Sequence, residues 1–213
     1  MRTPVPAWCR PAWQAASILL GYPDERLRGQ EPLLRSVVDT LPEPVAAPLG
    51  RFLAHLAATP LRDLEESYVD TFDSRRRCCL YLTYYAYGDT RKRGVALLRL
   101  KQSYRRAGLE LGADELPDHL GVVLEFAATG DAERGRRILL EHRAGLELLR
   151  LGLTDAGSPY ADVVRAVCAT LPPLAGGDRD AVARLLAEGP PAEEVGLQPF
   201  APPEYMPGPG ARR

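Results

Sequence analysis

The stretch SPYADVVRAVCATL, residues 158–171, indicates a helical fold. Ser158 is a favourable helix N-cap, and the ring of Pro159 fits the first helical turn. The apolar side chains then recur every three or four residues and share one face; they are Tyr160, Val163, Val164, Val167 and Leu171. Pro172 and Pro173 end the pattern. The stretch therefore predicts an amphipathic helix that buries one side.

The composition supports a single helical domain. The chain has 213 residues, of which 46% are hydrophobic and 26% are charged. A chain of this length can bury a core of its own without disulfides or metals. Leucine and alanine far outnumber valine and isoleucine, which favours helix over sheet. The formal net charge of −1 argues against a nucleic-acid binder with an overall basic surface.

Similar periodic patterns predict helices in most of the remaining chain. They fall at about residues 12–20, 24–40, 45–58, 60–73, 90–107, 117–130, 131–151 and 178–188. The aromatic run at residues 80–87 has strand propensity but no partner strand, so a helix is preferred there. We expect an all-α, single compact bundle of about nine or ten helices over residues 1–189. Residues 190–213 are rich in proline and predict a tail or an extended strap.

No pattern of a catalytic or metal site occurs in the sequence. The four cysteines and three histidines lack zinc-site or dithiol spacing, and no glycine-rich phosphate loop is present. The longest uncharged run near the start, residues 11–23, is shorter than the roughly 20 residues that cross a bilayer. We expect a non-enzymatic protein without cofactor or metal, located in the cytoplasm and not inserted in a membrane.

The charged residues are segregated along the chain. Residues 75–106 hold ten Lys and Arg against one acid, Asp89, whereas residues 107–130 hold acids and no Lys or Arg. The excess of Lys and Arg predicts a basic surface on the folded protein, and the residues that we assign to it are Arg91, Lys92, Arg93 and Arg99. Solvated helix faces with some internal pairing explain the pattern most simply. A phosphate-bearing ligand or nucleic acid is the functional alternative.

Several segments in order resemble the NarJ family, the assembly chaperones of respiratory nitrate reductase. They are LLGYP at residues 19–23, YVDTFD at 68–73, LYLTYYAYGDTRKRG at 80–94, ALLRLK at 96–101, ELPDHL at 115–120 and LEFA at 124–127. Each segment is short, but their order makes the resemblance specific. The C-terminal third matches only in helical character.

The resemblance implies an all-helical cytoplasmic chaperone, related to the chaperones of other molybdenum reductases. It would bind the N-terminal segment of the catalytic subunit of nitrate reductase and hold that subunit until the molybdenum cofactor is inserted. Transient contact with the molybdenum cofactor machinery would accompany this role. Two alternatives remain: a chaperone of another molybdoenzyme, and an α-helical regulatory domain that binds a nucleotide or RNA through the basic residues.

A chaperone of this kind needs an apolar groove for one face of an amphipathic client helix. The predicted groove residues are Tyr68, Phe72, Tyr81, Tyr84, Tyr85 and Leu120. The predicted carboxylates for a basic client segment are Asp70, Asp73, Asp118 and Glu125. His119 is expected to tune client release with pH. Simple core packing is the alternative for each aromatic residue. The basic residues would meet the phosphate-containing cofactor or the body of the client, or would only be solvated.

Overall fold

The computed structural model describes residues 4–112, 115–189 and 191, and these fold into eleven α-helices. The helices are α1 Cys9–Leu19, α2 Glu25–Val38, α3 Glu43–Ala58, α4 Leu61–Phe72, α5 Leu82–Tyr87, α6 Arg91–Arg106, α7 Leu120–Thr129, α8 Ala132–Glu141, α9 Arg143–Asp155, α10 Tyr160–Ala169 and α11 Gly176–Glu188. A short 3-10 turn, Arg76–Cys78, precedes α5. The all-α prediction is confirmed, with one or two helices more than expected. The sequence division at residue 190 stays a prediction, because nearly all of 190–213 lies outside the described residues.

The core lies where α1, α3, α7 and α10 meet. Helix α1 packs against α7 and α10, and α10 packs in turn against α3 and α9. Trp13 of α1 is fully buried, and its Nε1 donates a hydrogen bond to Thr170 Oγ1 at 2.8 Å. Buried leucines, valines and alanines fill the remaining space. Burial of these apolar surfaces supplies the main stabilisation of the bundle.

Two backbone hydrogen bonds connect the start of α5 to the start of α7. The amide of Leu82 donates to the carbonyl of Asp118 at 2.9 Å, and the amide of Leu120 donates to the carbonyl of Leu80 at 2.8 Å. Tyr81 and His119 thereby form an isolated antiparallel bridge between two extended segments. This bridge places residues from two distant segments of the chain on one surface.

Residues 131–151 differ from the prediction of one central helix. The chain leaves helical geometry at His142, with φ −104° and ψ 21°, so that α8 and α9 are separate. Helix α8 packs closely on α7, since a Cβ at Gly135 would clash with Ala127. Helix α9 instead packs on α5, α10 and α11. The two segments therefore pack on different neighbours, which one straight helix does not satisfy.

Two prolines relate differently to the helix boundaries. Helix α2 continues unbroken through Pro32, whose ring is exposed. Helix α7 begins at Leu120 with His119 as its N-cap, rather than at Pro117.

Among the helices of the described residues, none is long and apolar enough to cross a membrane.

Candidate functional site

Three tyrosines and a histidine form a partly exposed surface, which we call the aromatic face: Tyr22, Tyr68, Tyr81 and His119. The ring centroids of Tyr22 and Tyr68 lie 5.4 Å apart, and those of Tyr81 and His119 lie 5.5 Å apart, both edge-on. Tyr22 is 52% exposed, and the other three are half-buried. The face combines the turn after α1, helix α4, and the starts of α5 and α7.

Tyr68 anchors the aromatic face to the core. Its hydroxyl donates to the carbonyl of Leu20 at 3.1 Å. Its ring lies 4.7 Å from Phe72 and 5.7 Å from Tyr160, measured between centroids. Burial raises the pKa of Tyr68 to about 12, with smaller contributions from the charges of Asp73 and Tyr81. Tyr68 is therefore uncharged at neutral pH, and its contacts hold its ring in a fixed position in the aromatic face.

The predicted residue Phe72 packs against Tyr68 and against the core. It is half-buried, and its ring centroid lies 4.9 Å from that of Tyr160, which is buried in α10. The ring of Phe52 on α3 completes this stack, 4.8 Å from Tyr160. Phe72 thus supports the aromatic face from below.

Two exposed carboxylates lie at the C-terminal end of α4, Asp70 in its last turn and Asp73 directly after it. The charge of Asp73 acts on Tyr68 and Tyr81, so Asp73 lies near the aromatic face. Asp70 and Asp73 are exposed, and Val69, which precedes them, is 41% exposed on the same outward side of the helix. The helical spacing of four residues places Val69 and Asp73 one above the other. Asp73 thus provides an exposed negative charge near the aromatic face, and the role of Asp70 and Asp73 in client binding stays a prediction.

Asp118 differs from the prediction of a groove carboxylate, because its side chain is completely buried. Its Oδ2 accepts hydrogen bonds from the hydroxyl and the amide of Thr83 and lies 3.5 Å from Nη2 of Arg93. Its Oδ1 has no hydrogen-bond partner in the structure. Asp118 thus holds α5, α6 and α7 together from inside and presents no charge to a client.

Arg93 also differs from the prediction, since it points inward from α6 rather than outward. Its guanidinium pairs with Asp89 at 3.1 Å and Asp118, donates to Thr83 Oγ1 at 3.2 Å, and lies 5.6 Å from the ring centroid of Tyr81. The other predicted basic residues, Arg91, Lys92 and Arg99, are exposed on the outer side of α6. Arg93 therefore supports the aromatic face from behind.

His119 is the N-cap of α7. Its Nδ1 accepts a hydrogen bond from the amide of Gly121 at 3.2 Å, which requires that nitrogen to be unprotonated. Burial lowers the pKa of His119, and the negative charges of Asp118 and Glu115 oppose this only partly. The neutral imidazole thus both caps the helix and contributes a ring to the aromatic face.

We expect the free energy of unfolding to fall as the pH decreases below about 6.5. Burial lowers the pKa of His119, His55 and His142 in the folded chain, so the unfolded chain binds protons first. Protonation at Nδ1 also removes the cap of α7. Urea unfolding at several pH values between 7 and 5 measures this decrease in the free energy of unfolding. The variant His119→Asn keeps a capping acceptor but cannot titrate, so it should lose part of the slope; an unchanged slope would contradict this role.

The remaining predicted groove residues lie elsewhere. Leu120 and Tyr85 are buried, and the Tyr85 hydroxyl donates to the carbonyls of Arg77 at 3.0 Å and Cys79 at 2.9 Å. Tyr84 is half-buried and lines a cavity between α5, α9 and α11. Glu125 is exposed in a separate hollow between α6 and α7. The structure therefore divides the predicted groove and leaves Tyr85 and Leu120 in the core.

Sequence reasoning did not assign Tyr22 to the site, although the segment LLGYP contributed to the resemblance. Tyr22 follows the end of α1, and its exposed ring extends the surface beyond Tyr68. Nothing in the local pattern shows that these two residues meet, because they are far apart in sequence. An exposed aromatic ring next to a half-buried one is a feature of interaction surfaces.

The arrangement is suited to non-covalent binding. Within residues 4–112 and 115–189, no group of three or more His, Cys, Asp or Glu side chains is placed to hold a metal ion. Burial raises the pKa of Cys79, the half-buried cysteine of the four, so its thiol stays protonated at neutral pH. The aromatic face offers rings for apolar contact, with α4 carboxylates at its edge for a cation.

Comparisons with known proteins agree with the resemblance. Residues 38–166 match the family described as nitrate reductase delta subunit. The chain is 32% identical over 160 residues to the probable nitrate reductase molybdenum cofactor assembly chaperone NarJ of Bacillus subtilis, covering 75% of this chain and 87% of that protein. It is 34% identical over 148 residues to the NarJ chaperone of Escherichia coli, covering 68% and 63% of the two chains.

A longer relative and a solved structure extend the comparison. The chain is 45% identical over 163 residues to the nitrate reductase-like protein NarX of Mycobacterium tuberculosis; the match covers 76% of this chain but spans only 24% of NarX. A crystal structure of a putative redox enzyme maturation protein from Archaeoglobus fulgidus superposes with a TM-score of 0.56 at 23% identity, covering 75% of this chain and 91% of that one. This likeness supports the fold.

Proposed function

Because the chain belongs to the nitrate reductase delta subunit family, which includes the NarJ assembly chaperones, we propose that it is a system-specific chaperone of respiratory nitrate reductase. In this proposal it binds the N-terminal segment of the catalytic subunit and holds that subunit for insertion of the molybdenum cofactor. It acts in the cytoplasm, catalyses no reaction, and contacts the molybdenum cofactor machinery transiently. The observation that carries the proposal is the partly exposed aromatic face beside the carboxylates of α4.

The aromatic face supports binding of an amphipathic client segment. Its rings are held by core contacts and by the hydrogen bond of Tyr68, so little side-chain entropy is lost when a partner binds. Large rigid aromatic side chains supply much of the binding energy at protein interfaces. The exposed ring of Tyr22 and the half-buried ring of Tyr81 offer contact area for the apolar side of the segment.

The charge of α4 supports a basic client segment. Asp73 lies near the rings and Asp70 is exposed one helical turn before it, whereas Arg93 is turned inward and neutralised by Asp89 and Asp118. A cation on the client would therefore meet an acidic edge, which favours encounter and orientation. We further propose that His119 links client release to pH, because protonation places a positive charge near this edge. Client affinity should then show a flatter pH profile in the variant His119→Gln.

Co-purification tests the proposed function. A tagged chain is expressed with the intact catalytic subunit of nitrate reductase, or with the same subunit lacking its N-terminal segment. We expect recovery of the intact subunit and loss of most recovery after truncation. The catalytic subunit of a different molybdenum reductase serves as the matched control and distinguishes the alternative client. Equal recovery of the intact and truncated subunits would contradict the proposed binding mode.

A further inference from the structure

Helix α11 lies on the surface of α9 but contributes little to the core. It buries no residue, whereas every other described α-helix buries at least two. Its half-buried residues include Ala181, Val182 and Leu185, which recur with helical spacing on the inner side. Its outer side carries Arg179 and other charged residues. Helix α11 is thus an amphipathic helix resting on an otherwise finished bundle.

The surface beneath α11 is an apolar groove that α11 fills incompletely. A cavity of about 270 Å³ remains between α11, α5, α9 and the 3-10 turn. Tyr84 of α5 and Leu148 and Leu151 of α9 line it from below, and Leu185 lines it from above. Ala144 lines an adjoining hollow under the same helix. We call the surface formed by these four residues of α5 and α9 the α5–α9 groove. The charged residues Arg76, Arg77 and Asp155 also line the cavity, so the apolar residues form only part of the groove that one face of α11 covers.

The attachment of α11 to the bundle is weak. Among the described residues, no hydrogen bond or ion pair joins α11 to α5 or α9; the contact is apolar. The helix starts with Gly176 and Gly177, which have low helix propensity, and the carboxylate of Asp178 accepts a hydrogen bond from the amide of Ala175 just before it. A helix of 13 residues is marginal in water without packing. Displacement of α11 exposes the groove, and it also requires release of the close contact between the carbonyl of Pro191 and Gly88 at the end of α5.

The segment before α11 permits that displacement. Pro172 and Pro173 follow the end of α10, and the two residues before α11, the half-buried Leu174 and the exposed Ala175, carry no described hydrogen bond to the bundle. The nitrate reductase delta subunit match ends at residue 166, so it includes the groove helices α5 and α9 but not α11. The groove thus belongs to the family portion of the chain, and its cover does not.

We propose that the α5–α9 groove is a second docking surface, that α11 occupies it in the free chain, and that an amphipathic helix of the reductase catalytic subunit displaces α11. This inference rests on the proposed function. The chemistry of the occupant follows from α11 itself: small and branched apolar residues at positions i, i+1 and i+4, with charged residues on the opposite side. A client helix can bind at this groove only when α11 has been released. The free chain, in which α11 covers the groove, therefore binds the client more weakly than a chain from which α11 is displaced.

A substitution on the inner side of α11 tests the groove without any client. In Leu185→Asp the carboxylate would face the apolar groove, which disfavours docking of α11. A synthetic peptide of residues 176–188 should then bind this variant about ten-fold more tightly than the parent chain. The matched control Ala183→Asp adds the same charge on the exposed side and should behave as the parent. Equal affinity of the peptide for all three chains, or no binding of the peptide to Leu185→Asp, would contradict the proposal that this groove binds a helix.

The client provides the second test. The cofactor-free catalytic subunit of nitrate reductase should bind Leu185→Asp several-fold more tightly than the parent or Ala183→Asp. In the complex with the parent chain, hydrogen exchange should become faster in α11 and slower in α5 and α9. Retained protection of α11 would overturn the displacement. If the parent chain binds no catalytic subunit, the proposed function fails. The binding experiment with the peptide of residues 176–188 would still show whether the groove binds a helix.

A second copy of the chain is the competing occupant, through exchange of α11 between two molecules. Light scattering during gel filtration distinguishes it, because exchange gives a dimer whose amount rises with protein concentration. We expect a monomer at all concentrations for the parent chain. A stable dimer that is lost in Leu185→Asp but kept in Ala183→Asp would assign the groove to α11 of another copy and overturn the client assignment.

Discussion

The substitution Glu147→Ala is expected to lower the free energy of unfolding by about 3–5 kcal/mol. Glu147 and Arg143 are buried in α9, with Arg143 Nη2 at 2.9 Å from Glu147 Oε1. Arg143 Nη1 also donates to the carbonyl of Cys168 at 3.2 Å, and Arg150 pairs with the second oxygen of Glu147 at 2.7 Å. Removal of the carboxylate leaves a buried guanidinium without its counter-charge, and this unpaired buried charge causes the loss of stability.

Urea unfolding followed by circular dichroism measures this loss. The pair Arg62 and Glu66 is the matched control, because it has the same spacing on α4 but is exposed. Glu66→Ala should change the free energy of unfolding by less than about 1 kcal/mol. The double variant Arg143→Met with Glu147→Leu should recover most of the stability, since apolar residues of similar size can replace a buried ion pair. Similar losses for Glu147→Ala and Glu66→Ala would contradict the buried pair.

The second large effect concerns client binding. The double variant Asp70→Lys with Asp73→Lys should weaken binding of a peptide of the catalytic subunit's N-terminal segment by at least about ten-fold, which corresponds to about 1.4 kcal/mol. The reason is that two exposed carboxylates at the C-terminal end of α4, of which Asp73 lies near the aromatic face, become cations that repel a basic segment. Titration calorimetry at low ionic strength measures the affinity, and circular dichroism checks that the fold is unchanged.

The control for this reversal lies on the same helix. Asp63→Lys with Glu66→Lys makes the same change of net charge on exposed residues near the start of α4. Its effect on affinity should be several-fold smaller, and it should disappear at high salt, where long-range attraction is screened. Equal weakening by the two double variants would show that only the net charge matters and would contradict a local acidic edge.

Much of the fold could be predicted from the sequence because its signals are local. The predicted helix after Pro60 corresponds to α4, and the patterns near Thr90 and Pro159 correspond to α6 and α10. The break at His142 could not be predicted, since both flanking segments have strong helical patterns. It arises because α8 and α9 pack on different helices. Such a choice depends on contacts between distant residues.

The candidate site could be predicted only in part, for the same reason. Residue type did not show which of the predicted carboxylates are exposed: Asp70 and Asp73 are, whereas Asp118 is buried by Thr83 and Arg93 from other segments. Arg143 and Glu147, whose charges favour an exposed position, are likewise buried in the interior. The order of family segments supplied the identity of the family, but the exposed rings required the structure.

Site-specific photo-crosslinking tests most directly whether the chain holds its client at the aromatic face. A photoreactive phenylalanine derivative replaces Val69, which is exposed on α4 beside Asp70 and Asp73, or Leu98, which is exposed on α6. Illumination with the cofactor-free catalytic subunit should crosslink position 69 to the N-terminal segment of that subunit and leave position 98 without this product. Crosslinking of the segment from position 98 but not from position 69 would contradict the account.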